Sequence, residues 1–249
     1  MTLTTADAHH WHPVPQVIEY LSASIPDGAT VLEIGPGALP FPRATAFVDF
    51  DLSESSQAKA GVGRDRRPIW NLDVTEERLP FPDKSWDFVY CRHTIEDSWN
   101  PFAMCAEMSR VGKRGYIETP SPFAELCRGV DGDAPPYRGY HHHRFIIWAN
   151  GSQLKFVSKY PLVEYMQAPD ERLATMLRAG AKYWNTYFLW EGSIDTRHIQ
   201  SPADFNVGVN YANVLNTALS EAQESTDKFW SSVTPDDVPQ MLPRVGSAA

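Results

Sequence analysis

The stretch from Tyr137 to Phe145 reads YRGYHHHRF, three consecutive histidines before an apolar run. Imidazole titrates near neutrality and ligates metals, so such a run can supply a base or a cation site. If His141 begins a strand, alternation puts His141 and His143 on one face and His142 with Arg144 on the other. Glu118, closing the apolar run GYIETP, is then the carboxylate that completes a two-histidine metal set. Glu96 and Asp97, in CRHTIED, are further acids expected at the same edge and alternative carboxylates for that set. The run has three readings: metal ligands (His141, His143 and Glu118), a general base or substrate contact, or structure alone. His93, in the same CRHTIED segment, is a further candidate base. HHWHP, from His9 to Pro13, is a second histidine cluster, read either as a cover over the pocket or as a loose terminus.

A second chemical signal is E-x-G-x-G, formed by Glu33, Gly35 and Gly37 after a short apolar run. Glycines there let the backbone turn sharply and approach a ligand. A second apolar run ends at Asp49, followed by Asp51, and Asp73 closes a third. An acid after the second strand can accept hydrogen bonds from ribose hydroxyls. A dinucleotide fingerprint asks for Gly or Ala three residues after the second glycine, then a helix for the pyrophosphate. Pro40 stands there instead, and the segment before Asp49 leaves little room for a helix. A ligand with a ribose and no pyrophosphate fits better.

These residues resemble class I, Rossmann-like S-adenosylmethionine-dependent methyltransferases. The resemblance rests on VLEIGPG, on DVTEERLPFPDKSWDFVYCRHTIEDSWNP and on GYIETPS, together spanning Val31 to Ser121. It departs at PFPRA, which stands where the family's first helix would run. The resemblance implies S-adenosylmethionine as cofactor. By it, Glu33 helps position the methionine end, Gly35 and Gly37 pack on the cofactor, Asp49 or Asp51 binds ribose, and Asp73 sits by the adenine amine. Glu118 is expected to point towards the transferred methyl.

The elements that must position these residues follow from periodicity. Val14–Ser24 has helical spacing. Short apolar runs at Thr30–Ile34, Ala44–Val48, Asn71–Val74, Trp86–His93 and Arg114–Pro120 read as strands, with a helix at Asn100–Val111. Strands alternating with helices imply a mostly parallel sheet covered on both faces. After Pro122 the pattern changes. A hairpin is expected around Asn150-Gly151, then amphipathic segments at Asp170–Trp184 and Asn206–Trp230, with TYFLWEGSI as another strand between them. The whole is read as one domain. Residues 14–122 form the cofactor core, and 123–235 form an acceptor-binding part rich in aromatics such as Trp148 and Tyr187.

Bulk composition narrows the classes. The net charge is −9 and no basic run occurs, which disfavours a nucleic-acid partner. Arg64, Arg66 and Arg67 read as a solvated loop. Three cysteines without a CxxC argue against a disulfide framework. Neither a signal peptide nor a membrane-length apolar run is visible, so a cytoplasmic protein without membrane contact is expected. The function expected is methyl transfer to an oxygen of a small molecule or glycan, metal-assisted or not. The rivals are a noncatalytic S-adenosylmethionine-binding module and a nicotinamide-dependent oxidoreductase.

Overall fold

The computed structural model describes residues 12–53, 57–62, 65–132, 136–200 and 207–233. His9, His10 and Trp11 of the HHWHP cluster and the tail after Val233 lie outside them. Five parallel strands make the centre of the molecule: β1 (Val31–Ile34), β2 (Ala46–Asp49), β3 (Ile69–Asn71), β4 (Phe88–Arg92) and β5 (Arg114–Pro120). They lie in the order β3-β2-β1-β4-β5, and β8 (Asn185–Glu191) closes the far edge antiparallel to β5. All four residues of β1 are buried, as expected of a strand covered on both faces.

Helix α1 (Pro15–Ser24) buries Val17 and Leu21. A six-residue helix, α2 (Gln57–Val62), follows β2. Helix α3 (Pro101–Val111) starts where the sequence says it should. The Asn100 side chain accepts from Ala103 N at 3.1 Å, and Pro101 fills the first turn, where no amide hydrogen is needed. Helix α4 (Pro122–Leu126) is capped in the same way by Ser121.

The expected hairpin is present. β6 (Phe145–Asn150) and β7 (Gln153–Ser158) pair through the two-residue turn Gly151-Ser152, with Gly151 at φ 60°. β9 (Asp195–His198) adds to β7 in parallel and completes a second, three-stranded sheet. Helix α5 (Asp170–Ala179) and the long α6 (Val207–Val233) pack against it. Tyr211, Leu215, Ala218 and Ala222 recur every three or four residues along α6 and are all buried.

The stretch after Pro122 also completes the first sheet. It supplies β8, and Ile147, Leu154, Phe156 and Trp190 share one buried cluster with Leu32, Val89 and Ile117. Trp148 and Tyr187 are core side chains. Trp148 is buried and donates to Glu221 at 2.6 Å, and Tyr187 stacks on Phe229 at 4.7 Å. No helix of the described residues is long and apolar enough to cross a membrane.

Candidate active site

The loop after β1 holds its shape without the helix that usually follows. Buried Glu33 accepts from Phe41 N at 2.8 Å. Phe41 lies flat on Tyr90 at 4.3 Å, and Arg67 donates to the Ala44 carbonyl at 2.7 Å. Arg67 is therefore a brace under the loop rather than the solvated side chain its sequence context suggests. It stacks on Phe47 and is held by Asp65. Three side chains thus do the work of the absent helix.

Burial pushes the Glu33 carboxyl up to about 8, against the lowering effect of the Phe41 amide and the charges of Arg67 and Arg92. A carboxyl raised on folding contributes stability that is complete below its unfolded value and is lost as pH rises through the folded one. The native protein should therefore lose stability between about pH 5 and pH 8. Glu33 alone accounts for a loss on the order of 4 kcal/mol. Glu33→Gln keeps the acceptor for Phe41 N and should fold with a shallower slope. An unchanged slope in denaturant melts across that range would refute the assignment.

Gly35 sits at φ 68° and Gly37 at φ 53°, both in the left-handed region. A Cβ on Gly35 would lie 2.1 Å from Thr94 Oγ1, so the loop is closed against the segment after β4. Between this loop and the C-terminal ends of β1 to β4 opens a cleft of about 580 Å³. That size suits a small-molecule cofactor with room for a second ligand. The place is the switch point of the sheet, where β1 is flanked by β2 on one side and β4 on the other.

Gly35, Gly37, Asp49, Asp51 and Asp73 all line the cleft. Glu33 does not; it lies beneath the floor and shapes the loop from below. Asp49 ends β2 and accepts from Asp51 N at 3.1 Å, and burial raises its carboxyl above the ordinary value. Asp51 is exposed, and hydrogen bonds from Ser53 hold its carboxyl below the ordinary value. Asp73 accepts from Thr75 N at 2.8 Å, which fixes the turn after β3.

The catalytic candidates are placed differently from one another. His93 lines the cleft with φ 48°, an uncommon backbone state for a residue with a side chain. Its Nδ1 is 3.5 Å from Glu96, its Nε2 is 3.8 Å from Glu118, and the buried Nε2 has no hydrogen-bond partner.

The strand pattern expected for the histidine run is not observed. His141 and His142 form a turn and β6 begins only at Phe145, so alternation does not apply. His141 and His143 accordingly do not share a face. His141 is exposed and engages Asp131 at 2.6 Å. His143 is buried, with Nδ1 on Glu125 at 2.6 Å, and Lys159 holds the other Glu125 oxygen at 2.7 Å. Burial opposes the charged form of His143, but the Glu125 carboxylate outweighs it and raises the imidazole.

Glu118 does not complete a site with these histidines. It is buried and bound to Arg92 at 3.1 Å, Tyr116 OH at 2.5 Å and Asn185 at 2.8 Å. It belongs to neither of the two groups of described residues with metal-like geometry, Asp97–His142–His143 and Asp131–His141–His142. The metal set His141, His143 and Glu118 is thus corrected, because Glu118 faces into the sheet and the histidines turn apart.

Asp97 is the acid the cleft does present. Its Oδ1 lies 3.7 Å from His142 Nε2 and 3.8 Å from His143 Nε2. Burial, then the Glu96 charge, raises its carboxyl to about 6. Its side chain is still 47% open, so water screens part of that push. Glu96 is buried and accepts from Thr119 Oγ1 at 2.9 Å. Two exposed aromatics, Phe50 and Trp99, also line the cleft, and Arg144 lies over the Trp99 ring at 3.6 Å. Sequence reasoning missed Glu125 and Lys159. A lone Glu inside the apolar stretch SPFAELC was the available signal for the first.

Residues 32–117 match the family model described as a methyltransferase domain. That span runs from β1 to β5 and contains every acid and glycine that lines the cleft. The segment from β1 to β5 carries a methyltransferase domain.

Among solved structures similar to this chain is the YcgJ protein of Bacillus subtilis, at 21% identity, 45% of this chain, 51% of that one and a TM-score of 0.36. Another is a putative methyltransferase of Bacillus halodurans, at 21% identity, 43% and 51% coverage and a TM-score of 0.34. A third is a putative methyltransferase from an antibiotic biosynthesis pathway of Anabaena variabilis, at 18% identity, 45% and 48% coverage and a TM-score of 0.38. The chain spans about half the length of each of these proteins. Comparison with curated proteins finds no match.

Proposed function

We propose that the protein transfers a methyl group from S-adenosylmethionine to an oxygen of a small molecule or glycan. The observation that carries this reading is the cleft itself. A glycine loop, three acids, Asp97 and His142 surround one space at the sheet's switch point, with His143 buried behind them.

The residues present fit the cofactor. Gly35 and Gly37 bring backbone to the cleft wall, and Asp51, ionised and exposed, suits two ribose hydroxyls better than the raised, half-buried Asp49. Asp73 lies further along the same wall, where the adenine would be held. The cofactor supplies a methyl on a positively charged sulfur. The chain then has two tasks, to align the acceptor and to take its proton. Asp97 is open to the cleft and near its working protonation range, so its carboxylate accepts the acceptor's proton as the acceptor oxygen takes the methyl. Phe50 and Trp99 are flat apolar surfaces suited to a ring or a sugar face.

The test has two parts. Calorimetry should show S-adenosylhomocysteine binding to the native protein and at least about tenfold weaker binding to Asp51→Ala, from loss of a charged hydrogen-bond acceptor. Asp49→Asn should change it less. Mass spectrometry over a panel of hydroxylated acceptors should find a methylated product. Binding without any product over a broad panel would favour the noncatalytic module instead. No binding at all would end the reading.

A further inference from the structure

We propose that Asp97, His142 and His143 form a site for one divalent transition-metal cation of the zinc or iron(II) class at the mouth of the cleft. This rests on the reading of the cleft as a methyl-transfer site and adds to it a metal that activates the acceptor. The three donor atoms lie within 4.8 Å of one another, with Asp97 Oδ1 at 3.7 Å from His142 and 3.8 Å from His143. Ligands held tetrahedrally at about 2.0–2.2 Å lie roughly 3.3–3.6 Å apart, so the two Asp97 separations need to close by a few tenths of an ångström and the two imidazole nitrogens, within 4.8 Å of each other, by as much as about 1.5 Å. His142 can make that shift, because it sits in a turn with 52% of its side chain exposed.

His143 is the fixed member. Its Nδ1 is engaged by Glu125, and Glu125 is anchored by Lys159, which leaves Nε2 to face Asp97. A carboxylate on the far nitrogen of an imidazole is the usual support of a metal-binding histidine, because it sets the tautomer and raises basicity. Buried Glu96 adds negative charge beside the cluster and offsets Arg144, which donates to the Asp97 carbonyl. Two imidazoles and one carboxylate suit zinc or iron(II), whereas magnesium and calcium prefer oxygen alone.

The second group of donors, Asp131, His141 and His142, shares His142 and is the poorer site. His141 Nδ1 is already committed to Asp131 at 2.6 Å, a bond a cation would have to compete with. In the first group, Asp97 and His142 both line the cleft, so coordination positions left open by the protein face the acceptor. An acceptor hydroxyl bound there would have its pKa lowered. A carboxylate that gives one oxygen to the cation keeps the other for the departing proton.

Titration of the full chain with cobalt(II), read by its visible ligand-field absorption, and with zinc(II), read by calorimetry, tests the site. His142→Ala and Asp97→Asn should each remove one equivalent of metal or weaken it at least tenfold. His141→Ala and Glu118→Gln should leave that equivalent in place, and magnesium should not compete. Counting the equivalent lost in His142→Ala separates this site from any metal held by His9 and His10. The proposal is overturned if the native protein binds no cobalt, if His142→Ala and Asp97→Asn retain the full stoichiometry and affinity, or if His141→Ala loses the equivalent instead. S-adenosylhomocysteine binding, measured in parallel, tests the methyl-transfer reading separately, since none of its expected ligands belongs to the metal set.

Discussion

Replacing Asp97 by Asn should lower kcat/KM for the acceptor by roughly 10²–10⁴-fold, the range typical for loss of a positioned general base. Asparagine keeps the size of the side chain and the acceptor oxygen, and Asp97 is half exposed, so the fold should not suffer. In protein stripped of metal the rate should rise with pH along an acid limb at about 6, because only the ionised carboxylate can take the proton. The direction follows from the raised carboxyl: below that value Asp97 holds its own proton and cannot accept another. The limb should be absent or displaced in Asp97→Asn. S-adenosylhomocysteine affinity should stay within about threefold of native, because Asp97 lies on the acceptor side of the cleft. An unchanged rate and an unchanged acid limb would remove Asp97 from the chemistry.

Replacing Gly35 by Val should lower cofactor affinity at least about tenfold, roughly 1.4 kcal/mol. The structure gives two independent causes. The backbone at φ 68° is strained for any β-branched residue, and the added Cβ would lie 2.1 Å from Thr94 Oγ1 and 2.9 Å from Thr94 Cβ. Thr94 belongs to the segment after β4 that carries His93 and Asp97, so moving it disturbs both halves of the cleft. The loop itself should survive, because Glu33, Phe41 and Arg67 brace it from the other end. Calorimetry on a variant with a native circular dichroism spectrum is the measurement. Native affinity in such a folded variant would show that the loop does not touch the cofactor.

Much of this architecture is legible in the sequence for local reasons. Short, mostly apolar runs such as VLEI fit a strand covered on both faces, and they fall where β1, β2, β4 and β5 are found. Asn100-Pro101 and Gly112 mark the ends of α3 by hydrogen-bond chemistry that needs no distant partner. Asn150-Gly151 fixes a hairpin because a tight turn needs a residue tolerant of positive φ. The glycine loop and the acids after β2 follow in turn, since each sits at the end of a legible strand on the same edge of the sheet, whereas β3 runs over Ile69–Asn71, earlier than the expected Asn71–Val74, and leaves Asp73 in the turn behind it.

The reaction side of the cleft was not legible in this way. The histidine run was read by strand alternation, but no hydrogen-bonded ladder reaches it. What sets its directions is two carboxylates distant in sequence, Asp131 turning His141 outward and Glu125 drawing His143 inward. Glu118 ends a strand at the expected edge, yet the Arg92, Tyr116 and Asn185 groups around it satisfy it inside the sheet. Asp97 gains its partners only because β6 carries the end of the histidine run past the segment after β4. Local sequence thus places the glycine loop and the acids beside it, because each of these positions depends on its own strand. Tertiary structure decides how the histidine run and its acids are arranged, because an ionisable side chain points to the buried charge that stabilises it, and that charge comes from elsewhere in the chain.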